Sequence, residues 1–190
     1  MEKAKFDAKF TALTAGVFIV LVLQATGLIY GINEWVNSQL PLVDTSIMHF
    51  LTGLGGWAPL ALFFSLATLS EHRHGGVTVR TAAFLLAVAF GLAAVGALKL
   101  IFAEPRPRPY EPGIGGYAFP SGHTFRAAII AAYGADRWRK YAPAFWAYAV
   151  GIALTRLLLH VHWFGDVLFS LLFAPWLYLL LKSLLGGKFE

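Results

Sequence analysis

The stretch RTAAFLLAVAFGLAAVGALKLIF, residues 80–102, decides the fold. Between Arg80 and Lys99 it holds 18 residues without a charge. A helix of about 20 apolar residues crosses the roughly 30 Å hydrocarbon core of a bilayer. Comparable runs lie on either side of it. The chain of 190 residues is 58% hydrophobic and 13% charged, with a mean hydropathy of +0.65. A soluble domain carries about 25% charged residues. The pattern predicts an all-α, polytopic membrane bundle of about six transmembrane helices, forming a single domain over 1–190.

The spans are expected at about 10–32, from a start between Asp44 and Trp57 to Ser70, 80–102, 121–135, 141–160 and 163–186. The first run, from Thr11 to about Ile32, exceeds the 7–15 apolar residues typical of a signal peptide, so it reads as an uncleaved span. In DTSIMHFLTGLGGWAP, residues 44–59, a cap signal at Asp44–Ser46 precedes a break at Gly55–Gly56. That predicts a short interfacial helix leading into the second span. The fourth span is short and is expected to be shielded by its neighbours.

Charge placement sets the orientation. With six crossings, Lys3, Lys5, Lys9, Arg73, Arg80, Arg137, Arg139, Lys140, Lys182 and Lys188 all fall on one side. Cytoplasmic loops collect Lys and Arg, so this side and both termini are expected to be cytoplasmic. The net charge of +5 is thereby explained by topology, and no nucleic-acid partner is expected. The chain has no cysteine, which excludes disulfides and thiolate metal sites.

The other five of the fifteen basic residues are Lys99, Arg106, Arg108, Arg126 and Arg156, all at or near the opposite face. Lys99 alone could simply snorkel to the interface. Arg106 follows in a loop, 103–120, that holds five of the nine prolines and restricts the backbone around it. Pro120 ends this loop, and Ser121 stands where it can cap the next helix. Free N–H groups at a helix start bind anions. Gly122 permits close approach of a ligand, the Ser121 hydroxyl can donate, and His123 sits in the first turn. An ordinary cap with an interfacial histidine would look the same.

The stretch TRLLLHVHWFGDV, residues 155–167, separates these readings. Arg156 ends the fifth span, while His162 and Asp166 stand four apart around the start of the sixth. At that spacing they can share a face. A carboxylate on one ring nitrogen fixes the tautomer and leaves the other nitrogen as a nucleophile. Ionisable groups at membrane depth mark function by default. Three cations, a helix start, two histidines and one aspartate, without a second carboxylate, form a poor cage for a hard metal. They suit phosphoryl transfer without a metal.

The three blocks resemble those of the type 2 phosphatidic acid phosphatase superfamily of membrane lipid phosphatases. Its pattern is K-x6-RP, PSGH and SR-x5-H-x3-D. Here these are Lys99 with Arg106–Pro107, Pro120–Ser121–Gly122–His123, and Arg156, His162 and Asp166, with Thr155 where the family usually has serine. The resemblance implies that His162 attacks phosphorus and forms a phosphohistidine, with Asp166 orienting it. It implies that His123 protonates the leaving oxygen and then activates water. Lys99, Arg106, Ser121, Gly122 and Arg156 would bind the phosphoryl oxygens, with no metal and no cofactor.

The expected protein is therefore a phosphatase of the cell membrane acting on a phosphorylated lipid, a phosphomonoester or pyrophosphate, at the non-cytoplasmic face. Phosphatidylglycerol phosphate, phosphatidic acid, a polyprenyl pyrophosphate and a lipid A phosphate all offer the needed group, with selectivity assigned to 103–120 and 33–57. Phosphate transfer between lipids, or a binder or carrier without chemistry, are the competing functions. Arg108 and Arg126 match no catalytic position. His160 is expected only to line its loop. Tyr110, Tyr117, Phe119 and Trp163 are candidates for a lipid entrance or an aromatic belt.

Overall fold

The computed structural model describes residues 8–73, 76–108 and 114–186. Every regular element among them is helical: α1 (Ala8–Ala25), α2 (Tyr30–Gln39), α3 (Ser46–Gly53), α4 (Trp57–Arg73), α5 (Val79–Phe102), α6 (Gly122–Arg137), α7 (Ala142–Leu158) and α8 (Phe164–Leu185). Single 3-10 turns at Ile114–Gly116 and Arg139–Tyr141 complete the set.

Four stretches are long and apolar enough to cross a membrane: α1, residues 46–70 through α3 and α4, α5, and α8. With 16 and 17 residues, α6 and α7 are shorter. The first expected span, 10–32, is divided. α1 stops at Ala25, and Gly27 adopts a left-handed φ of 76° that a side chain would resist. The Thr26 hydroxyl turns back to the Val22 carbonyl at 2.8 Å, and α2 starts at Tyr30 as a separate helix. The expected short helix before the second span is present as α3. Its cap is Thr45, whose hydroxyl accepts from the Met48 N–H at 3.2 Å.

α6 is the centre of the bundle and is buried without interruption from Thr124 to Gly134. It packs on α4, α5, α7 and α8. Lipid tails are as apolar as leucine, so burial alone does not drive helices together in a bilayer; close packing does. Ala127, Ala128, Ala131 and Ala132 supply the small surfaces that permit it. On α5, Gly91 provides the space for Phe125: a Cβ there would stand 2.0 Å from the ring's Cζ. α6, expected from the sequence as a short fourth span, is thus enclosed by its neighbours.

This packing sets two distinct ends. The C-termini of α5 and α7 meet the N-termini of α6 and α8 at one end. At the other, Asp136 accepts from Arg80 Nε at 3.2 Å, Tyr178 at 2.8 Å and Lys182 at 2.5 Å. Lys3, Lys5, Lys188 and the Arg73 side chain lie outside the described residues, as do Pro109, Tyr110 and Pro112.

Candidate active site

Each motif is positioned by a helix end. α5 closes with Ala103 in a left-handed conformation, its N–H bonded to the Lys99 carbonyl at 2.9 Å. Lys99, 8% exposed, donates its ammonium to the carbonyls of Tyr117 and Ala118. Arg106 lies across the returning loop. Its Nε donates to Gly116 at 3.1 Å, and its two terminal nitrogens reach Gly115 at 2.6 Å and Val161 at 2.5 Å. Main-chain carbonyls therefore hold both cations and fix their position.

Ser121 caps α6 as the sequence indicates, accepting from the Thr124 N–H at 3.4 Å. It is fully buried, and its hydroxyl also pairs with that of Thr124 at 2.9 Å. Its N–H reaches the Asp166 carbonyl at 3.3 Å, and its carbonyl accepts from Ser170 at 3.0 Å. The starts of α6 and α8 are thereby tied together. Gly122 and His123 follow on the wall of a cavity of about 340 Å³. Lys99, Arg106, Arg126, Arg156 and His162 line the same cavity, with Trp57 at its rim.

Asp166 lies behind this wall. His162 Nδ1 is 3.0 Å from Asp166 Oδ2, and the Trp163 N–H donates to the same oxygen at 2.9 Å. α8 begins two residues after His162, so the pair is not made on one helix face. The turn before α8 folds back over the carboxylate and achieves the same contact. Nδ1 carries the proton in this pairing, leaving the Nε2 lone pair to accept from Arg106 at 3.1 Å. Burial, together with the cations of Arg106, Arg156 and Lys99, pushes the His162 imidazolium well below the ordinary histidine range. The ring is neutral and its lone pair faces the cavity.

Arg156 donates to the Thr52 hydroxyl at 2.8 Å. The Thr155 hydroxyl lies 3.0 Å from that of Thr52 and bonds the Ile152 carbonyl at 2.7 Å, so the residue that departs from the family's serine retains hydroxyl contacts here. Thr52 lies 104 residues before Arg156, on α3, and nothing in its local sequence signals the contact. Arg126 is buried, with Nε on the Gly55 carbonyl at 2.9 Å and its guanidinium 4.5 Å from the Trp57 ring. Arg108 instead pairs with Asp44 at 2.6 Å. His160 lies with Nε2 3.1 Å from the Leu40 carbonyl. Phe119 is fully buried between Phe102 and Phe169, so it forms neither a lipid entrance nor an aromatic belt. The Trp163 indole N–H is fixed to the Pro105 carbonyl at 2.8 Å.

One expectation is corrected. The sequence reading gave the site a single carboxylate, but Glu104 is 2% exposed and packs beside Asp166 and Gln24. A carboxylate in the otherwise cationic KLIFAEPRPRP and a glutamine inside an apolar span were the available signals.

The fold and site define a membrane helical bundle with a cationic cleft and a carboxylate-oriented histidine. The PAP2 superfamily profile matches residues 80–188. A crystal structure of a transmembrane PAP2-type phosphatidylglycerolphosphate phosphatase from Bacillus subtilis superposes with a TM-score of 0.76. It is 20% identical, and the match covers 96% of this chain and 98% of that one. Among curated proteins there is no significant match. This chain belongs to the PAP2 superfamily.

Proposed function

We propose that the protein is an integral membrane phosphatase that hydrolyses a phosphomonoester or pyrophosphate of a lipid through a phosphohistidine at His162. The observation that carries this reading is the pairing of His162 Nδ1 with Asp166, with Nε2 directed at a cavity that also holds Lys99, Arg106, Arg156 and His123. Anion binding alone requires no such orientation of a neutral imidazole.

The phosphoryl group enters between the three cations and the first turn of α6. Its oxygens draw the Arg106 guanidinium away from His162, and Nε2 attacks phosphorus as the bond to the leaving oxygen breaks. The Asp166 carboxylate offsets the charge that develops on the ring. With the phosphoryl charge beside it, His123 takes up a proton from solvent and gives it to the leaving oxygen. It then takes a proton from water as the water attacks phosphorus, the P–N bond breaks, and inorganic phosphate leaves. Lys99, Arg106 and Arg156 stabilise charge spread over the equatorial oxygens, the largest single contribution expected of such a site. Gly122 leaves its N–H open to the phosphoryl group. Ser121 acts chiefly as the cap that presents this turn.

The chain is proposed to cross the membrane six times, with α6 and α7 included. At about 1.5 Å per residue they are short for a full crossing, but neighbouring helices enclose α6. Both termini would then be cytoplasmic and the site would face the exterior, where a lipid phosphate is reached from the outer leaflet.

The test is phosphate release by purified protein in detergent and EDTA, over phosphatidylglycerol phosphate, phosphatidic acid, a polyprenyl pyrophosphate and a lipid A phosphate. Release from one or two lipids, abolished by His162→Ala, is expected. Equal release by both proteins would remove His162 as the nucleophile. Loss of release in EDTA, restored by a divalent cation, would remove the metal-free mechanism.

A further inference from the structure

Behind the His162–Asp166 pair, the bundle buries polar atoms that the proposed reaction does not use. Glu104 is 2% exposed and sits immediately after α5. Its backbone is pinned by the Ala118 N–H at 2.8 Å, and the next residue, Pro105, accepts from Trp163. Both Glu104 carboxyl oxygens, Asp166 Oδ1 and both polar atoms of the Gln24 amide are buried without a hydrogen-bonded partner. Gln24 is 2% exposed, in the last turn of α1. A native interior rarely leaves so many such groups together unsatisfied.

Proton placement accounts for most of them. Two adjacent carboxyl groups away from water do not both ionise. Asp166 already receives two donors on Oδ2, from His162 and Trp163, and is therefore the group that keeps the charge. Apart from Asp166 itself, Glu104 has only the neutral Gln24 amide and the Lys99 ammonium to support a charge. A proton on Glu104 creates the one donor that Asp166 Oδ1 lacks, while the Gln24 N–H can satisfy the remaining Glu104 oxygen.

We infer that Glu104 is a positioning residue, held as the neutral acid, whose O–H donates to Asp166 Oδ1 and locks the Asp166 carboxylate against His162 Nδ1. This inference deepens the proposed function and rests on His162 as the nucleophile. Burial raises the Glu104 carboxyl above the usual carboxylate range, and hydrogen bonding with Gln24 and Asp166, with the Lys99 charge, opposes that shift. The groups facing it are Lys99 from α5, Asp166 from α8, the neutral Gln24 from α1 and the Tyr30 phenol from α2. As pH rises through its raised value, Glu104 loses its proton, a second negative charge appears beside Asp166, and the pair is driven apart. Turnover then falls on the alkaline side.

Two readouts on the full-length protein in detergent test this. The first is infrared spectroscopy at neutral pH, which is independent of turnover. A protonated-carboxyl band is expected in the wild type and absent in Glu104→Gln. No such band assignable to Glu104 would overturn the inference. The second is kinetics on whichever lipid phosphate the wild type hydrolyses. Glu104→Leu should lower kcat on the order of 10²-fold, the scale of a small misplacement of a reacting group, with little change in KM. Glu104→Gln keeps an N–H donor and cannot ionise, so it should recover most of that loss and abolish the alkaline limb that Glu104 sets. Gln as damaging as Leu, or an alkaline limb unchanged in Gln, would also overturn it. The band without any phosphate release from the wild type would refute the proposed function while leaving the proton on Glu104 in place. If Glu104→Leu does not fold, the band and the Gln profile still decide.

Discussion

The two nitrogens of His162 have opposite surroundings: a carboxylate on Nδ1 and a guanidinium on Nε2. Burial first, and then the guanidinium, disfavour the protonated ring; in the proposed mechanism the guanidinium marks where the phosphoryl group binds. Because the imidazolium is pushed well below its usual range, the neutral nucleophile persists as pH falls. The acid limb that His162 sets in kcat/KM should therefore lie below the ordinary histidine range. Arg106→Ala removes one cause of that shift, favours the imidazolium, and should move the limb to higher pH as well as weakening binding. A limb unmoved between wild type and variant would mean that Arg106 does not act on His162. Thr52→Val removes the hydroxyl that receives Arg156. A hydrogen bond to a charged group contributes about 1.5–3 kcal/mol, so kcat/KM should fall on the order of 10- to 100-fold, measured with the protein's thermal stability as control. All eight residues proposed for catalysis and phosphate binding were named from the sequence motifs. Thr52, Gln24 and the coupling of Glu104 to Asp166 were not, because each depends on helices brought together only by the tertiary fold.

At the scale of the element, the active groups sit where helices begin or end, and packing along the helices fixes those ends. Phe125 illustrates the dependence: its ring occupies the space left by Gly91, about two turns from Lys99 along α5. Gly91→Leu should force α5 and α6 apart, destabilise the protein by about 1–3 kcal/mol, the usual cost of overpacking, and lower activity without touching the cavity. Thermal unfolding in detergent measures the first effect. An unchanged melting temperature would show that this close approach is dispensable. The apolar runs made α5 and α8 plain in the sequence. The division of the first run at Thr26–Gly27 was harder to read, because a lone glycine in an apolar stretch is compatible with a continuing helix. It matters to the site, since α2 then brings Asn33 Oδ1 to the Gly165 N–H at 2.8 Å, one residue before Asp166.

Over the whole molecule, the two ends of the bundle carry different charge chemistry. One end gathers Arg80 and Lys182 on Asp136, and the other holds the cations around His162. The sequence separated these sets by the positive-inside pattern alone, and the helix packing keeps them at opposite ends. The absence of cysteine makes the sidedness directly measurable. A membrane-impermeant thiol reagent should label Ser38→Cys in intact cells, and Lys140→Cys only after permeabilisation; the reverse pattern would place the site in the cytoplasm. The proposed reaction turns on a covalent intermediate at His162, which rapid acid-free quenching during turnover of a phosphate-labelled lipid would trap. An acid-labile, base-stable phosphate on His162 is expected, present in the wild type and absent in His162→Ala. Turnover of the labelled lipid with the phosphate on another residue, or with none detectable on the protein, would contradict it.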